Sequence, residues 1–83
     1  MKPVVVYATR VCPYCVGARR FLEEREIPYE EIAVDEQPEK RVEMRQRGGG
    51  HTVPQIWIGE THVGGFTDLL ALDRSGRLAA LLD

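Results

Sequence analysis

Apolar positions along the chain change their period several times, and each change marks an element. Val4-Val5-Val6-Tyr7 is an unbroken β-branched and aromatic run, the pattern of a buried strand. From Pro13 the spacing lengthens to a helical stripe, with Cys15, Ala18, Phe21 and Leu22 on one side. Arg19, Arg20, Glu23 and Glu24 then face water. Proline suits the first helical position because its missing N–H has no partner there. The helix is predicted to run to about Glu26 and to end before Pro28. Residues 29–34 alternate as a second strand. Pro38 opens a second helix that stops at Gly48-Gly49-Gly50, although Val42 and Met44 are its whole apolar side. Residues 55–58 and 61–63 flank Gly59-Glu60, a two-residue hairpin signal. A last helical stretch starts near Thr67, carries six leucines from Leu69 to Leu82, and has a candidate break at Ser75-Gly76.

The order is therefore β-α-β-α-β-β-α. The first strand–helix–strand unit should be parallel with a right-handed crossover. The hairpin should add two antiparallel strands, giving an α/β fold with a mixed four-stranded sheet flanked by helices. A chain of 83 residues is expected to form one domain over its whole length.

Composition narrows the function classes. The chain is 43% apolar and 29% charged, the balance of a soluble globular domain. A net charge of −2 gives no electrostatic case for nucleic acid or for an anionic membrane. No apolar run approaches the ~20 residues that span a bilayer. The run at the N-terminus is too short and too soon interrupted for a signal peptide. A cytoplasmic location is expected, where thiols stay reduced and a close cysteine pair is catalytic or metal-binding.

The two cysteines, Cys12 and Cys15, make a poor structural staple, because a disulfide between them closes a tiny loop. Their position suggests chemistry instead. With a helix starting at Pro13, Cys12 falls at the N-cap, beside unpaired N–H groups and the positive end of the helix dipole. That setting stabilises a thiolate, the attacking species in disulfide exchange. Cys15 lies one turn further in, less accessible but close enough to displace a bound partner. The rival reading is a zinc site completed by His51 and His62. It is disfavoured because the two histidines lie on either side of a predicted strand, and because proline after the first cysteine suits a helix start better.

Two further segments each admit two readings. Thr52-Val53-Pro54 is either an ordinary trans proline opening a strand or a cis proline that exposes the Val53 backbone to an extended substrate. Gly64-Gly65-Phe66-Thr67-Asp68 is either a plain glycine turn with a helix cap, or a helix N-terminus whose free N–H groups hold a carboxylate.

Taken together, Cys-Pro-Tyr-Cys at 12–15, Thr-Val-Pro at 52–54 and Gly-Gly-x-x-Asp at 64–68 resemble the dithiol glutaredoxins in order and spacing, over nearly the whole chain. The resemblance implies the thioredoxin fold. It implies a glutathione-dependent disulfide oxidoreductase that reduces glutathione mixed disulfides and protein disulfides. By position it makes Cys12 the nucleophile and Cys15 its resolving partner. Tyr14 would lie beside glutathione. Thr52 and Val53, before a cis Pro54, would pair with its cysteinyl unit. Gly65, Phe66, Thr67 and Asp68 would hold its γ-glutamyl end. Glutathione and disulfide-bearing or glutathionylated proteins are the implied partners of a monomer with no tightly bound cofactor and no metal. Relatives that carry iron–sulfur clusters typically have serine in place of Cys15 and glycine in place of Pro13. One departure stands out. The family usually has a lysine three residues before the nucleophile, to pair with the glycyl carboxylate, and here that residue is Thr9. Arg10 is expected to take its place, with Arg47 as the rival cation.

Overall fold

A computed structural model describes residues 1–83. Its elements are β1 (Val4–Ala8), α1 (Pro13–Glu24), β2 (Glu30–Ala33), α2 (Pro38–Gln46), β3 (Gln55–Ile58), β4 (Thr61–Gly64), α3 (Phe66–Arg74) and α4 (Leu78–Leu82). The strands lie in the order β2-β1-β3-β4. β1 runs parallel to β2 and antiparallel to β3, and β3 and β4 form an antiparallel hairpin. This is the mixed sheet expected from the order of elements.

Period-two alternation decides which face of the sheet each β1 side chain covers. Val4, Val6 and Ala8 join Cys15, Ala18 and Leu22 of α1, Ile56 and Ile58 of β3, Leu69 of α3 and Leu78 of α4 in the larger core cluster. Tyr7 points the other way and packs with Val34, Met44 and Trp57 under α2. The apolar side of α2 is thin, and Met44 is its one buried residue. Polar contacts supplement it. The Tyr7 hydroxyl donates to the Glu43 carboxylate and accepts from Arg47 at 3.0 Å.

The helix ends refine the sequence reading. α1 stops at Glu24, and Ile27 N–H returns to Leu22 C=O at 2.9 Å while Glu26 adopts φ +56. Such a left-handed residue normally closes a helix as glycine. Ser75-Gly76 does separate α3 from α4. Arg19 corrects an expectation. It does not simply face water: its side chain is 22% exposed and its guanidinium bonds Glu31 of β2 at 2.8 Å. A long side chain on the rim of a helix can lie along the neighbouring strand and keep its charge paired.

Candidate active site

The chain leaves β1 at Ala8, turns through residues 9–11, and enters α1 at Cys12. Cys12 is the N-cap, with extended backbone at φ −120 and ψ 117, and Pro13 opens the helix behind it. Its sulfur accepts the Cys15 N–H at 3.4 Å, one of the helix's otherwise unpartnered donors. The Cys12 thiol also lies 3.6 Å from the Val53 carbonyl, where it donates across a gap of 41 residues in sequence. Cys15, one helical turn on, has no exposed surface and belongs to the larger core cluster. Both cysteines are free thiols.

The two thiols are pushed apart in acidity. Burial alone would raise the Cys12 pKa. The Cys15 thiol, the N–H groups of Cys15 and Tyr14, and the Arg19 charge outweigh it and hold Cys12 below the ordinary value. Burial pushes the Cys15 thiol up to about 11, against the opposing influence of Thr9 and reinforced by the neighbouring Cys12. The half-buried Cys12 thiol is thus shifted toward ionisation, and the buried Cys15 thiol is held protonated. An ultraviolet titration of thiolate absorbance should show one group ionising below the free-thiol value of about 8.5. That step should vanish in Cys12→Ser. A titration in which both thiols ionise together above pH 8.5 would contradict the assignment.

Facing Cys12, the Val53–Pro54 peptide is cis and leads directly into β3. β4 ends at Gly64 with φ +111, and Gly65 caps α3. The Asp68 carboxylate accepts the Gly65 N–H at 2.9 Å, tying the first turn of α3 back on itself. Phe66 closes this end against α1 because residue 17 is glycine. A Cβ there would lie 2.7 Å from the Phe66 ring.

These segments enclose a groove of about 450 Å³. Tyr14, Thr52, Val53, Pro54, Gly65, Phe66, Thr67 and Asp68 line it, together with Gly49, Gln55, His62 and Gly64, which the sequence reading did not assign to a glutathione site. The signal for Gln55 was its place directly after Pro54. For Arg19 it was the i,i+4 spacing from Cys15 along α1. Neither Arg10 nor Arg47 lines the groove. The Arg10 guanidinium stands 3.4 Å from Glu36 and 3.8 Å from Asp35, and the Arg10 backbone N–H donates to Asp35. Arg47 lies with its guanidinium 4.4 Å above the Trp57 ring. His62 stacks on the same ring at 4.4 Å and bonds Gln55. No group of three or more His, Cys, Asp or Glu side chains gathers where it could hold a metal ion. A larger hollow, of about 720 Å³, lies between β4, α3 and α4 and touches neither cysteine.

Comparison with known proteins agrees with this arrangement. The glutaredoxin family profile matches residues 4–63. A glutaredoxin from Pseudomonas aeruginosa is 55% identical over 82 residues, covering 99% of this chain and 98% of that protein. The solution structure of a dithiolic glutaredoxin from Trypanosoma brucei brucei is 38% identical, with a TM-score of 0.87 over 99% of this chain and 88% of that one. The crystal structure of a buckwheat glutaredoxin–glutathione complex is 27% identical, with a TM-score of 0.88 over 98% of this chain and 76% of that one. With a cysteine pair at a helix entry, a cis proline opposite it and these relatives, the chain belongs to the glutaredoxin family, thiol–disulfide oxidoreductases of the thioredoxin fold.

Proposed function

We propose that the chain reduces glutathione mixed disulfides and protein disulfides through Cys12 and Cys15, and that glutathione re-reduces it. The observation that carries this reading is the activated thiol of Cys12 at the α1 N-cap, 3.6 Å from the carbonyl of Val53, a residue that lines a groove running to the α3 N-terminus. The buckwheat relative is a glutaredoxin–glutathione complex.

The chemistry follows from disulfide exchange. The Cys12 thiolate attacks the glutathione sulfur of a mixed disulfide. The new bond joins Cys12 to glutathione, and the substrate leaves as a thiolate that takes a proton from solvent. A second glutathione thiolate then attacks the glutathione sulfur, releasing oxidised glutathione and restoring the Cys12 thiolate. With a protein disulfide, Cys12 joins one substrate sulfur and the other leaves. Cys15 then loses its proton and attacks Cys12, releasing the reduced protein and leaving a Cys12–Cys15 disulfide. Two glutathione thiols open that disulfide in turn.

Docking uses groups already in place. The neutral Cys12 thiol donates to the Val53 carbonyl. Once ionised it has no hydrogen to give, and that carbonyl is free to accept an N–H of the glutathione cysteinyl unit. Thr52 and Tyr14 flank this position. The Asp68 carboxylate suits the γ-glutamyl ammonium, and the N–H groups of Phe66 and Thr67 at the start of α3 suit its carboxylate. Leu69 of α3 and Leu78 of α4 enter the same core as β1, so residues 1–83 act as one domain. We place this monomeric activity in the cytoplasm, where thiols are kept reduced. A coupled assay with a glutathionylated peptide, with and without glutathione, tests the reading. Turnover by a flavoprotein reductase alone, with glutathione inert, would overturn it.

The glycyl carboxylate needs a cation, and the geometry favours Arg47 over Arg10. Arg47 shares the Trp57 ring with the groove residue His62, whereas Arg10 is held by Asp35 and Glu36. An exposed ion pair is worth up to about 1 kcal/mol and is screened by salt. Arg47→Ala should therefore raise the KM for glutathione by about two- to five-fold with kcat unchanged, the pattern of lost uniform binding. The effect should shrink at high ionic strength. Arg10→Ala should change KM less than Arg47→Ala, and the reverse order would return the role to Arg10.

A further inference from the structure

Gln55 is the buried polar side chain of the fold, 7% exposed at the start of β3, and each end of its amide has a partner. On one side its Nε2 lies 3.0 Å from the Thr52 hydroxyl. On the other, its Oε1 lies 2.7 Å from His62 Nε2. All three residues line the groove, and nothing in the proposed chemistry uses Gln55 or His62. We infer that His62, acting through Gln55, sets the hydrogen-bond direction of the Thr52 hydroxyl and so serves as a positioning residue for an acceptor oxygen of the docked glutathionyl group. This rests on the glutathione reading above.

The argument is one of donor and acceptor inventory. A primary amide has a donor end and an acceptor end, so a chain through it can run in two directions. In one, His62 Nε2–H donates to Gln55 Oε1 and Gln55 Nε2–H donates to Thr52 Oγ1. The Thr52 hydrogen is then free to donate into the groove. In the other, the amide is turned over. The Thr52 hydroxyl donates to Gln55 Oε1, and Gln55 Nε2–H donates to an unprotonated His62 Nε2. Thr52 then has no hydrogen for the groove. Neutral imidazole permits either direction, because either ring nitrogen can carry its hydrogen. Imidazolium permits the first alone, because both nitrogens are donors. A proton on His62 therefore turns Thr52 into a donor toward the groove.

His62 is an exposed residue of β4, stacked on Trp57 with an interplanar angle of 22°. The charged groups around it are Asp68 of α3 and Arg77 ahead of α4, which line the same hollow, and Arg47, which lies over the Trp57 ring. Asp68 already accepts the Gly65 N–H, and neither arginine can accept a proton.

The test is equilibrium binding of S-methylglutathione, a thioether that cannot exchange with either cysteine, to the reduced protein at about pH 5.5 and about pH 7.5. The affinity ratio between the two pH values should be about three- to five-fold larger for the unmodified protein than for His62→Phe, which keeps an aromatic ring beside Trp57 but has no proton to bind. Thr52→Val, an exposed position, should lose the same part of the ratio. Titration of Cys12 or of the ligand is common to all three proteins and cancels in the comparison. Equal ratios in the unmodified protein and either variant overturn the inference while leaving glutathione binding intact. No binding to the unmodified protein at either pH overturns the glutathione reading, and the inference with it.

Discussion

Replacing Cys12 with serine should abolish reduction of both glutathione mixed disulfides and protein disulfides, by more than about three orders of magnitude. The reason lies at the α1 N-cap. Exchange needs a thiolate, and the donors around position 12 stabilise sulfur's charge: the Cys15 thiol and N–H, the Tyr14 N–H and the Arg19 guanidinium. A serine hydroxyl in the same place stays protonated and cannot form the mixed disulfide. Cys15→Ser should behave differently. Glutathione can resolve the Cys12 mixed disulfide from solvent, so turnover of a glutathionylated peptide should persist. Reduction of a protein disulfide by the two-cysteine route should fall to background, because the buried resolving thiol is gone. The rate with the peptide should rise with pH through the Cys12 pKa and level off below the free-thiol value of about 8.5. Mass spectrometry of the quenched Cys15→Ser reaction should trap glutathione on Cys12. A serine at position 12 that left activity intact, with loss on changing position 15, would reverse the two roles.

The second large effect should come from a single methyl group. Gly64 joins β4 to α3 at φ +111, a conformation that costs a residue with a Cβ about 1–2 kcal/mol. A Cβ at this position would also stand 2.5 Å from the Asp68 carboxylate. Asp68 would have to move, and the Gly65 N–H would lose its acceptor, at a further cost of about 1 kcal/mol. Gly64→Ala should therefore destabilise the fold by about 2–3 kcal/mol, which in a domain of this size lowers Tm by roughly 8–24 °C. Because Asp68 is the proposed partner of the γ-glutamyl ammonium, the KM for glutathione should rise as well. Gly65 is the control. Its φ is −92, and a Cβ there would make ordinary contact, 3.6 Å from the Pro54 carbonyl. Gly65→Ala should cost about 1 kcal/mol or less, the usual loss for alanine at an N-cap. Thermal unfolding of the two variants decides the matter, and equal Tm values would show that the left-handed turn is not what residue 64 supplies.

Much of this could be read from the chain alone, because it depends on neighbours in sequence. β1, the hairpin, α1, α2 and the last helical stretch with its candidate break follow from apolar period, from prolines at the starts of α1 and α2 and from glycines after α2 and α3. The placement of Cys12 at a helix entry needs nothing beyond Pro13 after a strand and a turn. Those features give the expected nucleophile, its buried partner and the mixed character of the sheet. The resemblance carried by three short motifs then names most of the groove. The tertiary structure decided what depends on which distant segments meet. The Cys12 thiol finds the Val53 carbonyl, 41 residues away in sequence, because β1 and β3 are neighbours in the sheet. Arg10 was expected at the glutathione site on adjacency, but the loop after β2 brings Asp35 and Glu36 to it first. Arg19 was expected in water and instead bridges to β2 while lending its charge to Cys12. Long charged side chains have no periodicity that reveals their partners. They reach several ångströms and settle on whichever opposite charge the chain crossing brings near. Gln55 and His62 were hidden for a related reason: their bond joins two strands across a bulged register, and only the folded hairpin brings amide and imidazole within 2.7 Å.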